Sequence, residues 1–408
     1  MNTYEPTKKL YDDDAYATAF DATVLSVLPC AGQADRACYE LLLNQTLFFP
    51  EEGGQSADYG TLTQCSNGVT VCFDVIDVRI RNNLIYHTVS PASDMPDASP
   101  EAGCTVHGTI HWEHRFSNMQ QHSGEHIFSG IVHKLYGYEN VGFHLSNQTV
   151  TMDYSGVLSA EQVAEIELLV NRAIAENVEI HTGYPSAEEL AAMNYRSKKE
   201  IDGAVRIVTV TGYDTCACCA PHVRRTGEIG LLKVMQVQNY KGGVRLTILC
   251  GFRALKAFSE KQAILSTLTR LLSTSEDSLA DSVNKLKTTV SQLKYELSGA
   301  TRARLLEKAK LLPDGEQNVL FFEPAIESAT AREVVNELVK TRAGYCALFF
   351  GDDTAGYNYL VASAEHDCTI PAAQLRETFG AKGGGSSRMI QGHVNASEED
   401  VTKLFRTL

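Results

Sequence analysis

QQHSGEHIFSG, residues 120–130, sets two histidines four residues apart inside a stretch that reads as a buried helix. Met119, Ile127, Phe128, Ile131, Val132 and Leu135 recur at helical intervals around it. Ser117 is the expected N-cap and Gly137 the expected stop. Residues i and i+4 share a helix face, about 5–6 Å apart at Cβ. His122 and His126 can therefore hold one metal ion between them. Two ordinary core or surface histidines are the alternative. The spacing is not H-E-x-x-H. Glu125 is turned about 100° from His126 and is a poor general base by that route.

Two histidines need further ligands. DTCACCAPHVRRTGEIG, residues 214–230, supplies Cys216, Cys218, Cys219 and His222 directly after the apolar strand VRIVTVTG. Thiolate and imidazole are both zinc donors, and four of them suit a tetrahedral ion. Zn2+ is the expected cofactor.

Bulk properties set the frame. The 408 residues suffice for two to four domains, and 44% hydrophobic with 21% charged residues is globular. No apolar run approaches the roughly 18 residues of a membrane helix. The start, MNTYEPTKKLYDDD, lacks a signal-peptide core, so a cytoplasmic protein is expected. Its eleven cysteines are then expected as thiols or metal ligands rather than disulfides. A net charge of −14 argues against non-specific nucleic-acid binding. Arg196, Lys198, Lys199, Arg224, Arg225, Lys241, Arg245 and Arg253 are nonetheless a candidate local basic cluster.

The expected fold class is α+β, in four parts. Residues 1–95, with YATAFDATVLSVL, VTVCFDVIDVRI and NLIYHTVS and turn residues such as Ser66-Asn67-Gly68, predict a small β-barrel. Residues 96–255 predict an α+β domain around the histidine helix, with room for one long sheet and a capping box from Ser159 to Gln162. Within 256–312, Leu279, Val283, Leu286, Val290, Leu293 and Leu297 fall at spacings of 4, 3, 4, 3 and 4, a heptad seam. That seam can pair with another chain or fold back on AFSEKQAILSTLTRLL as a hairpin, the favoured reading. Residues 313–408 predict an α/β unit carrying AKGGGSSRMIQGH, residues 381–393. There Gly383, Gly384 and Gly385 let backbone amides approach phosphate, and Lys382 and Arg388 add charge.

Four motifs in order carry a family resemblance. HSGEH resembles the H-x3-H of the editing domain of alanyl-tRNA synthetase and its freestanding AlaX relatives. CCAPHVRRTGEIG resembles their C-G-G-T-H…T-G-E/D-I-G. FFPEEGGQSADYG resembles F-Y-P-E-G-G-G-Q-P-x-D-x-G, and GFHLSNQTVTMD resembles the G-F-H strand. The similarity covers the whole chain in the order of the long freestanding form, with a terminal domain of the DHHA1 type.

The resemblance implies zinc ligands His122, His126, Cys218 and His222. It implies substrate-contacting roles for Thr46 and Gln55, and RNA contact by Lys382, Gly383, Gly384, Gly385 and Arg388. It implies an ester hydrolase acting on mischarged alanine tRNA, with homodimerisation through the heptad helices or the terminal domain. An alanine pocket rejects glycine or serine by only about 1–3 kcal/mol, so a second hydrolytic site is needed. Three protein ligands leave zinc able to activate water, whereas four close its shell and leave it a positioning role. Glu52, Cys219, Ala220 and Pro221 depart from the family pattern, and Pro221 brings no N–H. A zinc hydrolase of a small amide or ester, and a silent RNA-binding zinc protein, are the other readings of the same residues.

Overall fold

Among the described residues, six strands close into an antiparallel barrel: Ala19–Cys30, Cys38–Leu43, Gly60–Ser66, Val69–Arg81, Leu84–Pro91 and Thr105–Ile110. The computed structural model describes residues 4–30, 37–66, 69–93, 95–197, 203–312 and 318–408. The turn residues Asn67 and Gly68 and the lysines Lys198 and Lys199 fall outside these. The chain divides into two compact units, Met1–Ile264 and Leu265–Leu408.

The barrel reaches past residue 95, because Ala19–Cys30 pairs with Thr105–Ile110 on one side and Cys38–Leu43 on the other. Alternation along the strands turns Leu41, Leu62, Phe73, Val75, Val89 and Val106 inward. Gly108 has to be glycine, since a Cβ there would stand 2.3 Å from the Phe20 ring. Cys30 and Cys38 are joined by a disulfide, against the expectation of thiols throughout. Spacing alone did not pair them; the register of two neighbouring strands does.

The histidine helix runs Trp112–Tyr136 and starts before Ser117. Its N-cap is His111, whose ring accepts from the His114 amide, and Gly137 ends it at φ 67°. Ser117 instead accepts from Arg253 Nε at 2.7 Å. The helix is buried from Asn118 to Val132. Around it lie the helix Ala160–Glu176, which keeps the predicted Ser159/Gln162 capping box, and two sheets rather than one. One sheet orders Leu232–Tyr240, Gly243–Cys250, Val150–Tyr154 and Asn140–Leu145; the other orders Ile180–Gly183, Ile207–Val210 and Asp214–Ala217.

Barrel and helix are locked by a buried ion pair. Arg115 Nε donates to Asp58 Oδ2 at 2.9 Å, and its other nitrogens reach the carbonyls of Leu47 and Ala15. Asp58 also accepts from the Phe49 amide at 2.7 Å.

The second unit holds a sheet ordered Val319–Glu323, Cys346–Asp352, Gly356–Ala362, Met389–Val394 and Lys382–Ser386. Only its first pair is parallel. Ser328–Leu338 covers one face with Leu305 and Ala309 of the helix Leu279–Lys310. Thr369–Phe379 and Glu398–Thr407 cover the other. Val283, Leu286, Val290, Leu293 and Leu297 of the helix Leu279–Lys310 are all exposed. Among the described residues no helix is long and apolar enough to cross a membrane.

Removing one partner of a buried pair strands the other charge, at about 3–5 kcal/mol. Arg115→Met is expected to lower unfolding stability by that amount. Equilibrium denaturation in urea measures it, with an unchanged native circular-dichroism spectrum as the control for a local effect.

Candidate metal centre

His122 and His126 project one turn apart from the helix, with ring centroids 5.4 Å apart. Cys218 and His222 arrive from the loop after the strand Asp214–Ala217. The ligand atoms of these four residues all lie within 4.8 Å of one another. Cys218 Sγ is 3.5 Å from His122 Nε2 and 3.4 Å from His222 Nε2. A tetrahedral zinc with Zn–N of about 2.1 Å and Zn–S of about 2.3 Å has N···S edges of about 3.6 Å. The donor set fits a zinc ion in kind and in spacing.

The far side of each imidazole is fixed as well. His122 Nδ1 donates to Gln55 Oε1 at 2.8 Å, and His126 Nδ1 to Asp214 Oδ2 at 2.8 Å. His222 Nδ1 lies 3.0 Å from Ser123 Oγ, which also accepts the Val223 amide. An imidazole donating from Nδ1 presents the Nε2 lone pair to a metal. Gln55 Oε1 and Asp214 Oδ2, which can only accept, therefore set the tautomers of His122 and His126.

Electrostatics separate the cysteines. Burial opposes ionisation of Cys218, but His122, His126 and His222 outweigh it and hold the thiol well below its ordinary range. Burial pushes Cys216 up to about 11 despite His126 and Arg196 nearby. Cys218 is thus the ready thiolate, although Cys216 clusters with His126 and Asp214. Asp214 stays ionised against its burial because His126 and Arg196 both bind it, Arg196 at 2.8 Å through each of Nε and Nη2. Gly130 lets that strand approach, since a Cβ there would meet Tyr213 O at 2.4 Å and Asp214 Cβ at 2.8 Å. Glu125 bonds Ser129 and Asn140.

The Gln55 loop is a two-residue turn. Gly53 and Gly54 sit at φ +62° and +86°, with Glu52 and Gln55 bonded to each other across them. Any Cβ on Gly54 would lie 2.4 Å from Phe143 O. Leu145 N donates to Gly54 O at 2.7 Å, and Ser56 N to Leu145 O at 3.1 Å. These bonds draw the GFH strand against the loop and set the Phe143 ring 4.7 Å from His122.

Gln55 is therefore brought to the metal ligands, and Thr46 is not joined to them by any described bond. Thr46 is fully buried, 2.9 Å from His87 Nε2, and accepts the Phe48 amide at 3.0 Å. Sequence reasoning passed over His87, Asp214 and Ser123, whose roles depend on partners far along the chain.

In the second unit, the Gly-rich stretch is an exposed edge strand, Lys382–Ser386, rather than a loop. Gly383 opposes Gly392. Cβ atoms on these two would lie 2.8 and 2.6 Å from the Tyr359 hydroxyl, so the glycines make room for that ring. Gly384 has nothing within 4 Å and, with Lys382, Arg332 and His393, lines a cleft of about 1050 Å³. Arg388 sits in the turn after the strand. Among the described members of the candidate basic cluster, Arg196, Arg224, Arg225 and Arg245 pair with Asp214, Asp14, Glu179 and Asp153. Arg253 bonds Ser117, Asn118 and Ser146.

Comparison with known proteins agrees with the motif resemblance. A model described as the threonyl and alanyl tRNA synthetase second additional domain matches residues 205–247, which include Cys218 and His222. The chain is 28% identical to an alanyl-tRNA editing protein Aarsd1 of Danio rerio, over 94% of this chain and 93% of that one. It is 25% identical to alanyl-tRNA editing protein AlaX-L of Pyrococcus horikoshii, over 97% and 96%. It is 26% identical to an alanine–tRNA ligase of Pyrobaculum aerophilum, over 95% of this chain but 42% of the ligase. Along nearly its whole length the chain is a relative of AlaX-type editing proteins.

Two outcomes follow from this geometry. Asp214→Asn, which loosens the His126 tautomer, is expected to weaken zinc affinity about 10–100-fold, as read by competition with a chromophoric chelator. Burial depresses the His87 pKa to about 4, against 6.5 in the unfolded chain. The unfolded state then takes up a proton that the fold refuses. Stability falls as pH drops from about 6.5 to about 4, by up to about 1.4 kcal/mol per pH unit. His87→Gln is expected to flatten that interval in a denaturation series against pH.

Proposed function

We propose that this relative of the alanyl-tRNA editing proteins is itself a trans-editing deacylase. It hydrolyses the ester of mischarged alanine tRNA, seryl-tRNA and glycyl-tRNA, with Zn2+ held by His122, His126, Cys218 and His222. The observation that carries the reading is the convergence of those four ligand atoms within 4.8 Å from stretches about a hundred residues apart.

Bound there, Zn2+ would supply Lewis acidity toward water or an ester carbonyl, or, with its shell closed by four ligands, would anchor the substrate-binding loop. The chain's own groups do the rest. Gln55 spends its Oε1 on His122 and leaves Nε2 buried without a partner. An unpaired buried donor is costly, and an ester carbonyl or attacking water satisfies it. Thr46 we assign to the wall of the acyl pocket, with its hydroxyl held in place by His87.

Residues 313–408 we read as a DHHA1-type unit for tRNA. Lys382, Gly383, Gly384, Gly385 and Arg388 would meet phosphate along the edge strand and its turn. The exposed seam of Leu279–Lys310 supports a homodimer, because Val283 and Val290 at a positions with Leu286 and Leu293 at d suit two strands. A cytoplasmic location suits a tRNA substrate.

Incubation with seryl-, glycyl- and alanyl-esters of alanine tRNA tests the reading. Release of serine or glycine with alanine spared is the expected result. His122→Ala should lower the rate by at least about 100-fold, with circular dichroism unchanged. Full activity after exhaustive metal removal would refute the zinc assignment, and no deacylation of any ester would refute the enzyme.

A further inference from the structure

Two carbonyls of the loop that carries Cys218 and His222 lack the donor a turn would give them. In an ordinary turn a carbonyl accepts from the amide three residues on. For Cys218 that residue is Pro221, which has no N–H. For Ala220 it is Val223, whose amide is given to Ser123 Oγ at 3.3 Å. Arg206 supplies both bonds instead. Its Nη1 donates to Cys218 O at 3.1 Å and to Ala220 O at 2.8 Å. Its own carbonyl accepts the Cys218 amide at 3.0 Å. One residue thus holds the candidate ligand Cys218 at both of its peptide groups.

Arg206 is itself fixed. Its side chain is 5% exposed, and its Nε faces Asp12 Oδ1 at 3.2 Å. Asp12 also accepts from the Tyr184 hydroxyl at 2.8 Å. A buried guanidinium without its carboxylate is costly, so Asp12 keeps that side chain in place. The segment carrying Asp12 is anchored just before it, where Lys8–Lys9 pairs in parallel with Gln45–Thr46. One end of this brace is therefore the backbone of Thr46, and the other is the ligand loop. Asp12, Arg206 and His222 line one cavity of about 310 Å³, so the brace runs alongside the ligand cluster.

We infer that Arg206, held by Asp12, is a positioning residue of the metal centre. It sets Cys218 and His222 at the spacing a metal requires and fixes their loop relative to Thr46. The inference rests on the zinc reading and deepens it. Arg206 acts through the loop carbonyls. A guanidinium presents several N–H groups in one plane and can bond two carbonyls while it faces a carboxylate. The ammonium of a lysine is a point charge and does not reproduce that fork. Pro221, one of the departures from the family pattern, takes an amide out of the loop, and Arg206 makes up the loss.

Metal titration of the full-length protein, stripped and then given Zn2+ or Co2+, tests this. The visible and charge-transfer bands of thiolate-bound Co2+ report the geometry of its ligands. Arg206→Met is expected to weaken Zn2+ binding at least about tenfold, read by chelator competition, and to shift the Co2+ bands, with circular dichroism unchanged. Arg206→Lys and Asp12→Asn should fall between Arg206→Met and wild type. Asp12→Asn keeps the guanidinium and removes only the charge that anchors it, so it carries the test where Arg206→Met does not fold. Asp13→Asn, which removes an exposed charge paired with Lys8, should change neither readout. A brace that served stability alone would lower the urea midpoint and leave Zn2+ affinity and the Co2+ bands as in wild type. That result, in Arg206→Met or in Asp12→Asn, overturns the positioning role and leaves the zinc reading standing. A wild type that takes up neither metal refutes the zinc reading, and this inference with it.

Discussion

Three imidazoles and one thiolate within 4.8 Å of one another form the constraint around which the first unit is arranged. Donors at that spacing repel or compete unless a cation lies between them or each is fixed by an outer partner. Gln55, Asp214 and Ser123 provide the outer fixing, and each comes from a different element. Gln55 ties the centre to the barrel loop. Asp214 ties it to a sheet edge and, through Arg196, to the segment between that sheet's first two strands. Ser123 ties His222 back to the histidine helix. The four candidate ligands are therefore also the junction of the unit.

The same junction explains features that look unrelated. The Arg115–Asp58 pair holds the start of the helix against the barrel, and Asp58 in turn holds the Phe49 amide just before the glycine turn. Gly130 removes the side chain that would keep Asp214 away from His126, and Gly54 removes the one that would keep Phe143 off the loop. Polar groups left over on the barrel side then face the centre without protein partners. A folded chain tolerates such groups where a ligand completes them.

The second unit obeys a different rule. Its three consecutive glycines invite a phosphate-loop reading, yet they lie in an edge strand. Gly383 and the opposing Gly392 admit the Tyr359 ring across the sheet, so two faces of one short strand serve two ends. One packs an aromatic into the core, and the other leaves Gly384 and Lys382 open to a cleft. Local composition could not separate these uses.

Much of this was legible in the sequence because it depends on short-range periodicity and donor chemistry. The four-residue histidine spacing, the clustered cysteines, the Ser159–Gln162 cap and the alternating strands are read from neighbours in the chain. The first turn of the histidine helix, the Cys30–Cys38 bond, the closing strand Thr105–Ile110 and the choice of Cys218 over Cys216 depend on register and burial. Those are properties of pairs far apart in sequence. The residue types alone made a set of metal-binding donors available, and the motif resemblance alone pointed to an ester hydrolase. Only the fold decided which thiol is held toward ionisation and which partners fix the His122 and His126 rings, because a group's field and solvation are set by what packs against it.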